Sequence, residues 1–168
     1  MEKGAISVSR AELGDVADLL AILNGATQYK VERGDMAWGS EARSEQRVRD
    51  AMAESQMYIV RQDGRSVGTT CLQWDDEHYW GKQQPIAGYI HGLAVESSVH
   101  GQGIGAMVIE WALHQTFLQG RQFLRLDCSA RNAGLCRYYE RQGFIQVGQR
   151  VLQSGYIAAL YQCEASHC

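Results

Sequence analysis

The chain has 168 residues, of which 45% are hydrophobic and 21% charged, with a formal net charge of −3. This size and balance fit a single globular domain over residues 1–168. The slight acidity and the lack of a basic block argue against nucleic acid or an anionic membrane as partner, and no run of about 18 apolar residues offers a transmembrane helix.

The N-terminus, MEKGAISVSRAELGD, has no apolar segment of the signal-peptide kind. Cys71, Cys128, Cys136, Cys163 and Cys168 are odd in number and show no C-x-x-C spacing. They read as reduced packing thiols of a cytoplasmic protein, with no metal site expected.

Residues 5–9 read as a short strand. A helix follows, with Val16, Leu19, Leu20 and Leu23 on one face. The charged, alanine-rich segment 41–54 predicts a second helix. Residues 57–61 and 66–74 predict two strands, joined at Gln62-Asp63-Gly64-Arg65 by the Asp-Gly pair that hairpin turns favour. Residues 75–84 form a polar and aromatic loop. The nearly continuous apolar run 86–95 predicts a central strand.

A glycine-rich loop, His100 to Gly105, precedes a helix expected over 103–118. There Ile104, Met107, Val108, Trp111 and Ala112 keep the spacing of a buried face. Residues 122–128 predict another strand. Asn132 is a suitable N-cap for a short helix through Gln142, and Gly143 its stop. Two strands, 144–151 and 155–163, close the chain. The order β-α-α-β-β-β-α-β-α-β-β indicates a mixed α/β fold, with helices on both faces of a mixed sheet.

A glycine-rich turn feeding a helix N-terminus makes an anion site. Its N–H groups lack partners, the helix dipole adds partial positive charge, and glycine lets a phosphate approach the backbone. An acidic chain can hold a polyanion this way. A Walker loop is excluded, because no Gly-Lys-Ser/Thr follows. Gly101, Gly103 and Ala106 fit the dinucleotide pattern G-x-G-x-x-A, but Glu96 to His100 separate them from the strand, and too little chain follows for further βαβ units. A turn without a ligand is the remaining plain reading.

The loop His100-Gly101-Gln102-Gly103-Ile104-Gly105 resembles motif A of the GNAT acetyltransferases, Q/R-x-x-G-x-G/A. Downstream, Asn132-Ala133-Gly134-Leu135-Cys136-Arg137-Tyr138-Tyr139-Glu140-Arg141-Gln142-Gly143-Phe144 resembles that family's second signature, Asn, then Tyr-Glu, then Gly-Phe. One strand separates the two motifs, as in the family. His100 departs from the family's usual Arg or Gln.

The resemblance implies a central sheet of six to seven strands splayed in the middle, and acetyl-CoA as cosubstrate. The backbone of Leu93, Ala94 and Val95 would pair with the pantetheine arm as an added strand. His100, Gly101, Gln102, Gly103, Ile104, Gly105 and Ala106 would surround the pyrophosphate. Asn132 would contact the pantetheine or help place the thioester. Tyr139 sits at the family's acid position, near the thioester sulfur; a core aromatic beside Tyr138 is the plain alternative.

Acetyl transfer needs an unprotonated amine, so a base must take its proton. The leaving thiolate, with a thiol pKa of roughly 8.5 by analogy with cysteine, benefits from an acid. An N–H on the Leu93–Val95 strand can polarise the carbonyl. His91-Gly92-Leu93-Ala94-Val95 is similar to the His-x-Leu-Ala-Val of arylalkylamine N-acetyltransferases, where histidines on this strand support deprotonation. His91 has a suitable intrinsic pKa, and by alternation it shares a face with Leu93 and Val95. A hydrogen-bonded core histidine is the plain alternative. Glu96, Glu140, Asp127 and a water relay are the other candidates.

For the acceptor, Tyr29, Trp38, Trp74, Asp75, Asp76, Glu77, His78, Tyr79 and Trp80 combine aromatic rings with acidic neighbours, which suits a cationic amine. These readings converge on acetyl transfer to a primary amine of a small molecule by direct attack. A peptide or protein acetyltransferase and a non-catalytic acyl-CoA-binding module are the alternatives. Edge strands near the C-terminus make a homodimer a further expectation.

Overall fold

The computed structural model describes residues 4–165; Cys168 lies outside the described residues. The elements are β1 (Ile6–Arg10), α1 (Val16–Glu32), α2 (Glu45–Glu54), β2 (Met57–Gln62), β3 (Arg65–Gln73), α3 (Glu77–Trp80), β4 (Ala87–Val95), α4 (Ile104–Leu118), β5 (Phe123–Ser129), α5 (Ala133–Arg141), β6 (Ile145–Val151) and β7 (Ile157–Glu164). The seven strands follow the order β1-β2-β3-β4-β5-β7-β6. This is the expected mixed sheet: β4 runs parallel to β5, whereas β1–β2, β2–β3, β5–β7 and β6–β7 are antiparallel.

The chain packs as two compact units. One comprises the residues up to Leu72 with Gly92–Val108; the other comprises Gln73–His91 and the residues from Ile109 onward. In the first, α1 turns Val16, Leu19, Ile22 and Leu23 inward against Val48 of α2, Met57 and Ile59 of β2, and Ala94. This is the periodic face seen in the sequence, with Leu20 at its margin. The Asp-Gly hairpin forms as expected. Asp63 and Gly64 have φ of 49° and 82°, the left-handed pair of a type I′ turn. Helix α2 starts at Glu45 rather than 41, because Ser44 caps it by accepting a hydrogen bond from the Arg47 N–H.

In the second unit, β5 buries Leu124, Leu126 and Cys128 and turns Arg125, Asp127 and Ser129 to its other face. Arg125 is buried nonetheless, bonded to Gln83, Tyr89 and Gln162 and stacked on Trp80. A Cβ on Gly88 would come within 2.6 Å of Thr116 Oγ1, so only glycine lets β4 lie this close to α4. The β4–β5 pairing covers only Ala87–Tyr89 against Phe123–Arg125, which leaves the rest of β5 to β7.

Two further local features differ from the sequence reading. The loop 75–84 contains the single turn α3, capped by Asp76. Gly92, with φ of 58°, interrupts the pleat of β4 directly after His91. The alternation that placed His91 on one face with Leu93 and Val95 therefore does not run through.

Candidate active site

The short helix α3 forms because Asp76 Oδ1 accepts a hydrogen bond from the Tyr79 N–H at 3.1 Å. That cap fixes the carboxylate's second oxygen. Asp76 Oδ2 lies 3.5 Å from His91 Nε2, and on the other side of the ring Asp127 Oδ1 lies 3.8 Å from Nδ1. The two Asp side chains are 5% and 10% exposed, and that of His91 22%. An imidazole thus sits between two buried carboxylates.

Burial sets the protonation of this group. It lowers the His91 pKa below the ordinary imidazole value, with Asp76 opposing the shift. It pushes the Asp127 carboxyl up to about 7, and the nearby Asp76 carboxylate adds to the rise. His91 is therefore held neutral near pH 7, beside a carboxyl group poised to exchange a proton. Tyr79 borders the cluster, its phenol raised by burial and then by Asp127 and Asp76. Its ring lies 6.4 Å from those of His91 and Tyr156. The nitrogen and oxygens of Asp76, His91 and Asp127 all lie within 4.8 Å of one another, a donor set that a divalent cation could also use.

The other candidate bases are engaged elsewhere. Glu96 is paired with Arg65 and accepts a hydrogen bond from Ser98. Glu140 accepts a hydrogen bond from the Tyr161 hydroxyl at 3.0 Å. Sequence reasoning named Asp127 among the bases and Asp76 among the acceptor residues, but not their common position around His91.

Tyr139 lies in α5, packed edge-on against Phe144 and Tyr138. Burial raises its pKa far above that of an ordinary phenol, and Cys128, Tyr138 and Asp127 add to the shift. It keeps its proton at any working pH. Asn132 caps α5, its Oδ1 accepting from the Leu135 N–H at 3.0 Å.

The glycine loop takes the form its residues require. Gly101 and Gly103 both have φ of 80°, which an L side chain rarely adopts. The first intrahelical bond of α4 runs from Met107 N–H to the Gly103 carbonyl at 3.1 Å. The N–H groups of Ile104, Gly105 and Ala106 precede it, at the positive end of a 15-residue helix. His100 Nε2 lies 2.9 Å from the Val95 carbonyl. Because that oxygen can only accept, Nε2 carries the proton and Nδ1 of the neutral ring becomes an acceptor. A phosphate contact from His100 would need the protonated ring.

Most of the acceptor aromatics already hold a cation from their own unit. Arg33 stacks on Tyr29, Lys30 and Arg43 on Trp38, Arg121 on Trp74 and Arg125 on Trp80. Tyr79 stands apart from these, beside the carboxylates.

Comparison with known families places these features. The model of the Acetyltransferase (GNAT) family matches residues 21–144, about three quarters of the chain. The chain belongs to the GNAT acetyltransferase family. The match takes in His91, the glycine loop, Asn132 and Tyr139. Within the GNAT family, a relative from Bacillus subtilis (strain 168), S-(2-succino)cysteine N-acetyltransferase, is 29% identical over 119 residues, covering 68% of this chain and 69% of the relative. Solved structures share the fold. An aminoglycoside acetyltransferase, AAC(6')-Ib, in complex with coenzyme A superposes with a TM-score of 0.76 at 19% identity, covering 95% of each chain. A candidate acetyltransferase from Salmonella typhimurium with its cofactor acetyl-CoA gives 0.69 at 15% identity, covering 98% of this chain and 96% of that one. Among the described residues, no helix is long and apolar enough to cross a membrane.

Proposed function

We propose that this GNAT chain transfers acetyl from acetyl-CoA to a primary amine of a small molecule, by direct attack and without a covalent enzyme intermediate. The observation that carries this reading is the neutral His91 held between the carboxylates of Asp76 and Asp127. Family membership and the cofactor-bound relatives support acetyl-CoA as the donor. The N–H groups from Gly103 to Ala106 would hold its pyrophosphate, the Gln102 N–H being used by the Val99 carbonyl at 3.3 Å, and the backbone of Leu93, Ala94 and Val95 would hold its pantetheine arm.

In the reaction, the free amine attacks the thioester carbonyl, the C–N bond forms and the C–S bond breaks. The nitrogen's proton passes to His91, and Asp127 and Asp76 stabilise the imidazolium that results. An N–H of the Leu93–Val95 segment polarises the carbonyl. Tyr139, always protonated, donates a hydrogen bond to the departing thiolate, which takes a proton from solvent to become the thiol, while His91 returns the nitrogen's proton to solvent. The ammonium form of the acceptor and acetyl-CoA thus give the amide, CoA and one proton.

The similarity of His91-Gly92-Leu93-Ala94-Val95 to arylalkylamine N-acetyltransferases supports a small amine. The name of the Bacillus subtilis relative supports a second reading, an amino-acid acceptor. Strand β6 leaves Ile145, Val147 and Val151 exposed, the surface through which a homodimer would form.

CoA release from acetyl-CoA across aromatic amines, polyamines, aminoglycosides, amino acids and short peptides tests the proposal. Turnover of a small amine is the expected result. Turnover of peptides alone would overturn it in favour of a peptide acetyltransferase. Acetyl-CoA binding without any turnover would overturn it in favour of a binding module.

A further inference from the structure

We infer that the Asp76–His91–Asp127 cluster selects an acceptor amine that bears no carboxylate on the carbon next to its nitrogen. The inference rests on the small-molecule acetyltransferase reading above and narrows its substrate class.

The first ground is uncompensated negative charge. Asp76 and Asp127 are nine-tenths or more buried, and each faces His91. Among the described residues, neither carboxylate is paired with an arginine or lysine. The nearest cation along β5, Arg125, is spent on Gln83, Tyr89 and Gln162. Above about pH 7, where Asp127 has lost its proton, two carboxylates beside one neutral imidazole leave the cluster short of positive charge, and burial makes that shortage costly.

The second ground is a single oxygen. Asp76 Oδ1 is used by the Tyr79 N–H, but Oδ2 is buried and has no hydrogen-bond partner among the described residues. It lies 3.5 Å from Nε2 of His91, the base of the reading above, and both atoms are buried. An ammonium group supplies the missing donor and the missing charge together. Tyr79 adds an aromatic ring beside the same point.

An α-amino acid presents the opposite charge at the same place. Its carboxylate is one carbon from the amine, so a nitrogen seated at His91 brings that carboxylate up to Asp76 and Asp127. Like charges in a buried site oppose binding, and the cluster discriminates by repulsion as well as attraction.

Matched pairs test this at a fixed pH above about 7, where Asp127 is ionised: tyramine against tyrosine, histamine against histidine and cadaverine against lysine, read as kcat/KM for CoA release. The amine should exceed its amino acid by on the order of a hundredfold in the pair that is turned over best. Asp76→Asn removes the charge yet keeps the helix cap, because an asparagine oxygen accepts the Tyr79 N–H equally well. It should shrink the amine-to-amino-acid ratio at least about tenfold, a change that loss of packing alone does not produce. An amino acid turned over as well as its amine, or a ratio unchanged in Asp76→Asn, overturns the inference and leaves the small-molecule reading standing. Silence from both members of every pair, with a peptide N-terminus acetylated, overturns the small-molecule reading itself.

Discussion

Asp76 divides its carboxylate between two tasks: Oδ1 caps the single turn of α3, and Oδ2 lies 3.5 Å from His91 Nε2. A local backbone requirement thereby fixes the position of a charged group at the candidate base. Removing the charge and removing the cap are separable changes. Asp76→Ala should lower both stability, by about 1 kcal/mol for the lost cap, and activity. Asp76→Asn should lower activity while leaving the urea midpoint near that of the wild type.

His91→Ala should reduce turnover by about a hundredfold or more, the usual scale for a positioned general base. The loss should be greatest above about pH 7, where Asp127 has lost its proton and supports the His91 imidazolium. A pH–rate profile identical to the wild type's would remove His91 as the base.

Tyr139→Phe should lower kcat about tenfold or more, with little change in the affinity for acetyl-CoA, since a hydrogen bond to the leaving sulfur is strongest in the transition state. The ring contacts with Tyr138 and Phe144 survive the change, so the fold should too. Unchanged kcat would assign Tyr139 to the core alone.

Gly103 carries a φ of 80° in open space, so an alanine there meets no neighbour and suffers only backbone strain. Gly103→Ala should cost about 1–2 kcal/mol of stability. It should raise KM for acetyl-CoA while leaving KM for the amine unchanged. A raised amine KM with an unaltered acetyl-CoA KM would contradict the cradle role of the loop.

Much of the fold was legible because its signals are local. The Asp63-Gly64 turn, the Asn132 cap and the glycine loop ahead of α4 each follow from residues a few positions apart. The α1 face needed only a period of 3.6. Two local events escaped. Asp75, Asp76 and Glu77 are three acidic residues in a row, and nothing short of the turn itself shows that Asp76 is the cap. Gly92 sits inside an apolar run, where a left-handed residue leaves no compositional trace. The site was legible as a list of residues, including His91 and Asp127. Its arrangement was not, because Asp76 and Asp127 meet only through the paths of β4, α3 and β5. Neither burial nor the resulting shift of Asp127 can be read from residue type. The engagement of Glu96 with Arg65, and of Trp38 with Lys30 and Arg43, is likewise tertiary.

The measurement that tests the account most directly is kcat/KM against pH for the best amine, in the wild type and in Asp127→Asn. The groups facing Asp127 are His91, Asp76, Tyr79 and Tyr139. Its carboxyl is pushed up to about 7, so it loses its proton as the pH rises through neutrality and can then support the imidazolium of His91. The wild type should show a limb rising through about pH 7, besides the limb at the amine's own pKa. Asp127→Asn should lack the first and keep the second. The stability change has a definite sign. A folded pKa raised above the unfolded value contributes stability that is present below about pH 4 and is lost as the pH rises through about 7. Asp127→Asn should therefore raise Tm more at pH 8 than at pH 5. A wild-type limb near 7 that persists unchanged in Asp127→Asn would contradict the assignment of the acceptor chemistry to this cluster.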